Sequence, residues 1–247
     1  MANRVVLVHG FTQTSRCWHP FDDLLDVRIE RRSLDAPGHG DAAALALDLP
    51  AAAAYLADQG GDGVYLGYSM GGRMCLRLAL DYPTRARGLI LISASPGIAD
   101  PSARRERARR DEALADRIGQ IGVEAFVDEW LAQPLFAHLP PANAHRAERL
   151  RNTAEGLASS LRGAGTGAQD PLWDRLAELT MPVLVIAGSL DGAYVAIGRK
   201  MVAAIGANAT FAEIASAGHS AALEVPHTTA QLINDWLASF AATRSTH

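Results

Sequence analysis

The chain has 247 residues, 49% of them hydrophobic, and a formal net charge of −4. That length accommodates one large domain, or a core domain with an insertion, and buries enough surface to fold without staples. No run approaches the ~18 continuous apolar residues of a membrane span. The acidic balance argues against a nucleic-acid surface, which normally presents a basic face. Of the 23 basic side chains only one, Lys200, is lysine. Codon usage accounts for the bulk of such a ratio. A subset of the arginines can still serve to grip carboxylates or phosphates at two points, which lysine cannot do.

In chain order, Val5–Val8 is a short β-branched run that stops at His9-Gly10. It is too short for the apolar core of a signal peptide. Cys17 and Cys75 lie far apart and in no metal spacing, so reduced thiols in a cytoplasm are expected. Val27–Leu34 is a weaker strand candidate. Leu49–Gln59 is an alanine-rich helix. Gly63–Gly67 is a strand that leads into a helix over Ser69–Leu80. Gly88–Ser93 and Met181–Gly188 are strands, and the second has the strongest signal. Ala193–Ile205 is a helix, and Thr210–Ile214 the last strand. Short apolar runs bounded by Gly and Pro fit strands buried on both faces. After Pro226, residues Ile233, Trp236, Leu237 and Phe240 fall at i, i+3, i+4 and i+7, one face of a C-terminal helix.

Strands alternating with helices predict an α/β fold with a parallel, doubly wound sheet. The rhythm breaks between Ser95 and Pro171. That stretch is read as helical over Ser102–Ile118, Val123–Leu131 and Ala144–Leu161, with the glycines at 163, 165 and 167 as a flexible joint. The expected organisation is a core of residues 1–95 and 171–247 with a helical lid over 96–170.

The chemistry centres on Gly67-Tyr68-Ser69-Met70-Gly71-Gly72. A G-x-S-x-G string alone is weak, but a strand before it and a helix after it make a nucleophile elbow. The same glycines have the spacing of a phosphate loop, yet Arg73 and Met74 stand where Lys and Ser/Thr would be needed. A serine hydroxyl needs a base, and the base an orienting carboxylate. Asp191 follows the Met181–Gly188 strand and His219 follows the last one. The order Ser69, Asp191, His219 is that of the α/β-hydrolase triad. Asp191 can also cap the helix after it. The backbone amides of Phe11, after the first strand, and of Met70 are candidate oxyanion donors. The other histidines show no metal-ligand spacing, so no metal site is expected. Nothing in the sequence sets an oligomeric state.

Over nearly its whole length the chain resembles the α/β-hydrolase superfamily, but its first strand starts too early for the superfamily's usual antiparallel N-terminal hairpin. The lid narrows the resemblance. Ser93-Ala-Ser-Pro-Gly97, Arg104 to Asp111, Phe126 to Phe136 and Leu150-Arg151-Asn152, together with Gly67 to Arg73, resemble the MenH family of menaquinone biosynthesis, 2-succinyl-6-hydroxy-2,4-cyclohexadiene-1-carboxylate synthases. The resemblance implies a lyase that eliminates pyruvate from a small substrate with several carboxylates, with no cofactor and with the triad as base. It also implies that Arg73, Arg107 and Arg151 bind carboxylates, and that Tyr68 and Trp130 line the pocket. Arg104, Arg105, Arg109 and Arg110 are expected on a solvated helix face, where Glu106, Asp111 and Glu112 can pair with them. The same triad equally serves a serine hydrolase acting on an ester, thioester or C–C bond, because fold alone does not name a reaction.

Overall fold

A computed structural model describes residues 4–244, with side chains described as far as Ser239. Six strands form one sheet: β1 (Arg4–Val8), β2 (Glu30–Leu34), β3 (Gly63–Tyr68), β4 (Ala86–Ile92), β5 (Val183–Gly188) and β6 (Ala209–Ile214). Their spatial order is β2-β1-β3-β4-β5-β6 and every pairing is parallel.

Burial explains which strands were easy to read. β3 and β5 are buried at every position and consist of near-continuous apolar residues. β2 is an edge strand whose Glu30, Arg31 and Arg32 are exposed. Charged side chains protect such an edge from pairing with other chains. They also erase the hydrophobic signal, and the strand starts three residues later than expected.

Alternate residues of the inner strands feed two cores. Val6, Val8, Leu89, Leu91, Val183 and Val185 pack against α1 (Leu49–Gly60), α2 (Met70–Asp81) and α6 (Gly192–Ile205). Leu7, Ile90, Ile92, Leu184 and Ile186 face the other way. There they meet Trp18, Phe21 and, from the C-terminal helix α8 (Pro226–Arg244), Ile233, Trp236 and Leu237. Phe240, expected on the same face, has its side chain outside the described residues.

Between β4 and β5 the chain makes its helical excursion: α3 (Pro101–Leu131), α4 (Arg146–Arg149) and α5 (Ala154–Ala164). The ends of the excursion meet where the Leu172 amide donates to the Pro96 carbonyl at 2.7 Å. Trp173 Nε1 adds a bond to the Gly97 carbonyl at 2.9 Å.

Within α3 the helix breaks at Gly122 (φ 77°, ψ 171°), which separates the two helical segments as expected. Two expectations change here. The single helix expected over Ala144–Leu161 is broken, because the Thr153 side chain accepts from the Gly156 amide at 3.0 Å and starts α5 afresh. The glycines at 163, 165 and 167 are not a loose joint. A Cβ on Gly167 would lie 2.2 Å from the Ala108 nitrogen, and one on Gly165 2.2 Å from the Leu161 carbonyl oxygen. Close contact, not freedom, requires glycine there.

The pairing register brings the carboxyl ends of the strands level, with Val8 opposite Gly67 and Ile92 opposite Ile186. The chain runs from β1 outward to β2 and then returns to β3, so strand order reverses between β1 and β3. Open parallel sheets place their ligand sites at that end and at that reversal.

Candidate active site

Ser69 sits between β3 and α2 with φ 52° and ψ −108°, a backbone conformation that non-glycine residues rarely adopt. Its glycine neighbours make the bend possible. A Cβ on Gly71 would lie 2.2 Å from the Val8 carbonyl oxygen. With none there, the first turn of α2 presses against the end of β1, and the Gly71 amide donates to the His9 carbonyl at 3.1 Å.

His219 follows β6 and is almost fully buried. Its Nε2 lies 3.1 Å from Ser69 Oγ and its Nδ1 2.7 Å from Asp191 Oδ2. An ionised carboxylate accepts only, so Nδ1 carries the proton and Nε2 is free to take one from the serine. The second oxygen of Asp191 accepts from the Tyr194 amide at 3.4 Å and caps α6. Asp191 therefore makes both contacts for which its position suited it. The Tyr194 ring meets the His219 ring edge-on, centroids 4.6 Å apart. The Glu224 carboxylate accepts from the Gly218 and Ser220 amides, one on each side of His219.

Phe11, Ser69, Met70 and His219 line one cavity of about 110 Å³. Among the described residues, neither the Phe11 nor the Met70 amide has a hydrogen-bond acceptor. Two free N–H groups beside a serine suit an oxygen on which negative charge develops.

The remaining lining mixes polar and apolar side chains and contains Arg73 and Arg107 but no carboxylate. Arg73 is 7% exposed. It donates to the Gln169 side-chain oxygen at 2.9 Å and to the Ala164 carbonyl at 2.8 Å. Both partners are neutral. Burial lowers its pKa from the ordinary guanidinium value to about 10, which leaves it charged at neutral pH. Arg107 is half-exposed and reaches Asp111 Oδ1 at 2.7 Å. Asp111 was expected on a solvated face. It is buried instead, and its second oxygen accepts from the Gly167 amide at 2.9 Å. Glu106 and Glu112 do pair on the surface, with Arg109 and Arg110, and with Arg162. Trp130 lines the cavity and its indole N–H has no partner.

Two of the expected pocket residues lie elsewhere. Tyr68 does not line this cavity. Its side chain projects to the other face of the sheet, where its hydroxyl is 2.6 Å from Ser220 Oγ, because successive residues of β3 alternate faces. Arg151 is exposed, pairs with Glu148 at 3.7 Å and is not part of the lining. The buried arginine of that segment is Arg149, which donates to Thr12 Oγ1 and to the Phe11 carbonyl.

The sequence reading missed Tyr194, Ser93 and Gln169. Ser93 follows β4 with φ 49°, lines the cavity, and has a buried hydroxyl without a partner. Its signal was its position, one residue past a strand end. Tyr194 could have been inferred from its place three residues after a helix-capping aspartate. Gln169 carried no signal, since its contact with Arg73 spans the whole lid. As for metals, His19, Asp22 and Asp23 cluster among the described residues, but outside the cavity.

Comparison with known proteins assigns the fold to a family. Residues 5–232 match the model of the alpha/beta hydrolase family. A Bacillus subtilis protein, provisionally named 2-succinyl-6-hydroxy-2,4-cyclohexadiene-1-carboxylate synthase, is 36% identical over 95% of this chain and 90% of its own. The Klebsiella pneumoniae protein with that name is 30% identical over 81% of this chain and 82% of its own. The structure of MenH from S. aureus superposes with a TM-score of 0.90 at 31% identity, covering 97% of this chain and 94% of that one. The chain is therefore an enzyme-family member of the α/β-hydrolase superfamily and belongs, within it, to the MenH family.

Proposed function

We propose that this protein is a carbon–oxygen lyase. It eliminates pyruvate from a succinylated enolpyruvyl-cyclohexene carboxylate, giving 2-succinyl-6-hydroxy-2,4-cyclohexadiene-1-carboxylate. Ser69 Oγ takes the ring proton as His219 Nε2 takes the serine proton, and Asp191 holds the resulting imidazolium. Electrons move through the conjugated system onto the succinyl carbonyl, whose oxygen the Phe11 and Met70 amides receive. As the carbonyl re-forms, the enol ether C–O bond breaks and pyruvate leaves as its enolate, which recovers a proton from His219. The triad thus works as a base, and no acyl-enzyme forms.

The observation that carries this reading is Arg73. A buried cation whose partners are all neutral is costly unless an anion completes it. Arg107, paired with the buried Asp111, brings a second guanidinium to a cavity lined by no acidic side chain. A substrate with several carboxylates fits that field, whereas a neutral ester leaves it unanswered. Trp130 supplies an apolar wall and a free N–H. Tyr68 acts from behind the site, through its hydrogen bond to Ser220 next to His219.

The test is pyruvate release, followed by coupled oxidation of NADH, on incubation with the enolpyruvyl substrate. p-Nitrophenyl acetate serves as the contrast, because the same hydrogen-bonded serine could acylate. Pyruvate release with little ester turnover is the expected result. Brisk esterase activity without pyruvate would replace the lyase by a serine hydrolase.

A further inference from the structure

The Gly10–Phe11 peptide group carries the Phe11 N–H at one end and the Gly10 carbonyl at the other. That carbonyl accepts twice: from the Gln13 amide at 3.1 Å and from His9 Nδ1 at 2.8 Å. The second bond depends on the tautomer of His9, and the opposite ring nitrogen decides it. His9 Nε2 faces the Ala36 amide at 3.0 Å. A backbone amide can only donate, so Nε2 must accept and the proton must sit on Nδ1. Asp35 Oδ1 is 3.8 Å from Nε2, beyond hydrogen-bond reach.

The next peptide is held in the same way. The Thr12 amide donates to His39 Nε2 at 3.3 Å, which leaves the proton of His39 on Nδ1, directed at the Pro37 carbonyl at 3.1 Å. From the lid, Asn152 Nδ2 reaches the Thr12 carbonyl at 2.7 Å and Arg149 Nη1 the Phe11 carbonyl at 3.4 Å. Thr12 itself has φ 66°, which a side-chain-bearing residue keeps only when its surroundings hold it there.

Resting on the proposed role of the Phe11 amide as an oxyanion donor, we infer that His9 is a positioning residue for that donor. Its Nδ1–H locks the rotation of the Gly10–Phe11 peptide plane. By drawing electron density onto the Gly10 oxygen, it also strengthens the N–H at the other end. Hydrogen bonds in series polarise one another in this way, by roughly 10–30% per bond. His9 touches neither Ser69 nor His219. It acts through one peptide bond.

Two substitutions separate this role from packing. His9→Asn keeps an N–H at the Nδ1 position and loses the acceptor for Ala36. His9→Gln keeps an acceptor near the Nε2 position and loses the donor to Gly10. The readout is the second-order rate of Ser69 phosphonylation by a fluorophosphonate, whose phosphoryl oxygen enters the oxyanion site, alongside the melting temperature. His9→Gln should slow phosphonylation at least tenfold, and His9→Asn should stay within threefold of the parent even if it melts lower. A rate that follows melting temperature across both variants, or an unslowed His9→Gln, overturns the inference. Should either variant fail to fold, the ¹⁵N spectrum of the parent's imidazoles decides: a proton on His9 Nε2 overturns the inference, and one on Nδ1 upholds it. Phosphonylation is independent of the natural substrate. A parent enzyme that reacts with the probe but frees no pyruvate sinks the proposed lyase and leaves the His9 result standing.

Discussion

The Arg73 guanidinium, on the first turn after Ser69, meets Gln169 beyond α5 at 2.9 Å, and no carboxylate answers its charge. The contact ties the chain returning from the helical excursion to α2 and keeps a cation at the cavity wall. The Gln169 amide nitrogen is itself buried without a partner.

Arg73→Met should therefore separate activity from stability. Pyruvate release should fall at least tenfold in kcat/KM, about 1.4 kcal/mol, and up to a hundredfold if the carboxylate bond is fully desolvated. The melting temperature should hold or rise, because replacing a buried, incompletely paired ion by an apolar side chain of similar size is often neutral or stabilising. Steady-state kinetics and thermal melting of the one variant suffice. A lower melting temperature with intact kcat/KM would make Arg73 a structural residue.

The two lid arginines should part company. Arg107 lines the cavity and Arg151 does not. Arg107→Ala is expected to cost tenfold or more in kcat/KM, chiefly through KM. Arg151→Ala should remain within about twofold, since its exposed pair with Glu148 has little energetic weight. Equal losses in the two variants would mean that the lid closes further over the substrate and brings Arg151 in.

What could be read from the sequence, and what could not, follows from the range of the interactions. The elbow and the strand-end positions of Asp191 and His219 are local in sequence, so strand and turn chemistry reveals them. The Arg151 expectation came from resemblance alone, and nothing local marked the side chain as facing the cavity. The Tyr68 expectation came from the same resemblance, and the side chain lies off the cavity because it packs on the other face of the sheet. Gln169, Arg149 and Asn152 act on residues 96, 138 and 140 positions away. No periodicity encodes such contacts. Edge strand β2 was faint for a different reason: its protection against aggregation is the charge that hides it.

Glu224 should matter for rate more than for binding. Its carboxylate holds the two amides that flank His219. Glu224→Ala strands both N–H groups, each at a cost of about 1–3 kcal/mol if they stay buried. Expected are a lower melting temperature and a tenfold or larger drop in kcat with KM within twofold. Glu224→Gln, which keeps one acceptor, should fall between. A changed KM at constant kcat would place Glu224 in substrate binding instead.

The buried histidines predict how stability depends on pH. Burial pulls the pKa of His9 down to about 4 and that of His39 to about 3. In the unfolded chain both titrate near 6.5. Between those values the unfolded state binds protons that the folded state refuses, so stability rises with pH through this window. Their full contribution is present above about pH 6.5. It is lost as pH falls from there toward 4, by an amount on the order of a few kcal/mol for the pair. The half-buried His145, also lowered, acts in the same direction. Asp35 has the opposite charge type but a lowered pKa, so its share is lost only below the ordinary carboxylate range. Melting temperature measured from pH 7.5 to 5 should drop steeply, well before the carboxylates titrate. His39→Gln, which can still accept from the Thr12 amide and does not ionise, should show a shallower slope over that interval. An identical slope in the variant would mean that His39 is already accessible to protons in the folded protein.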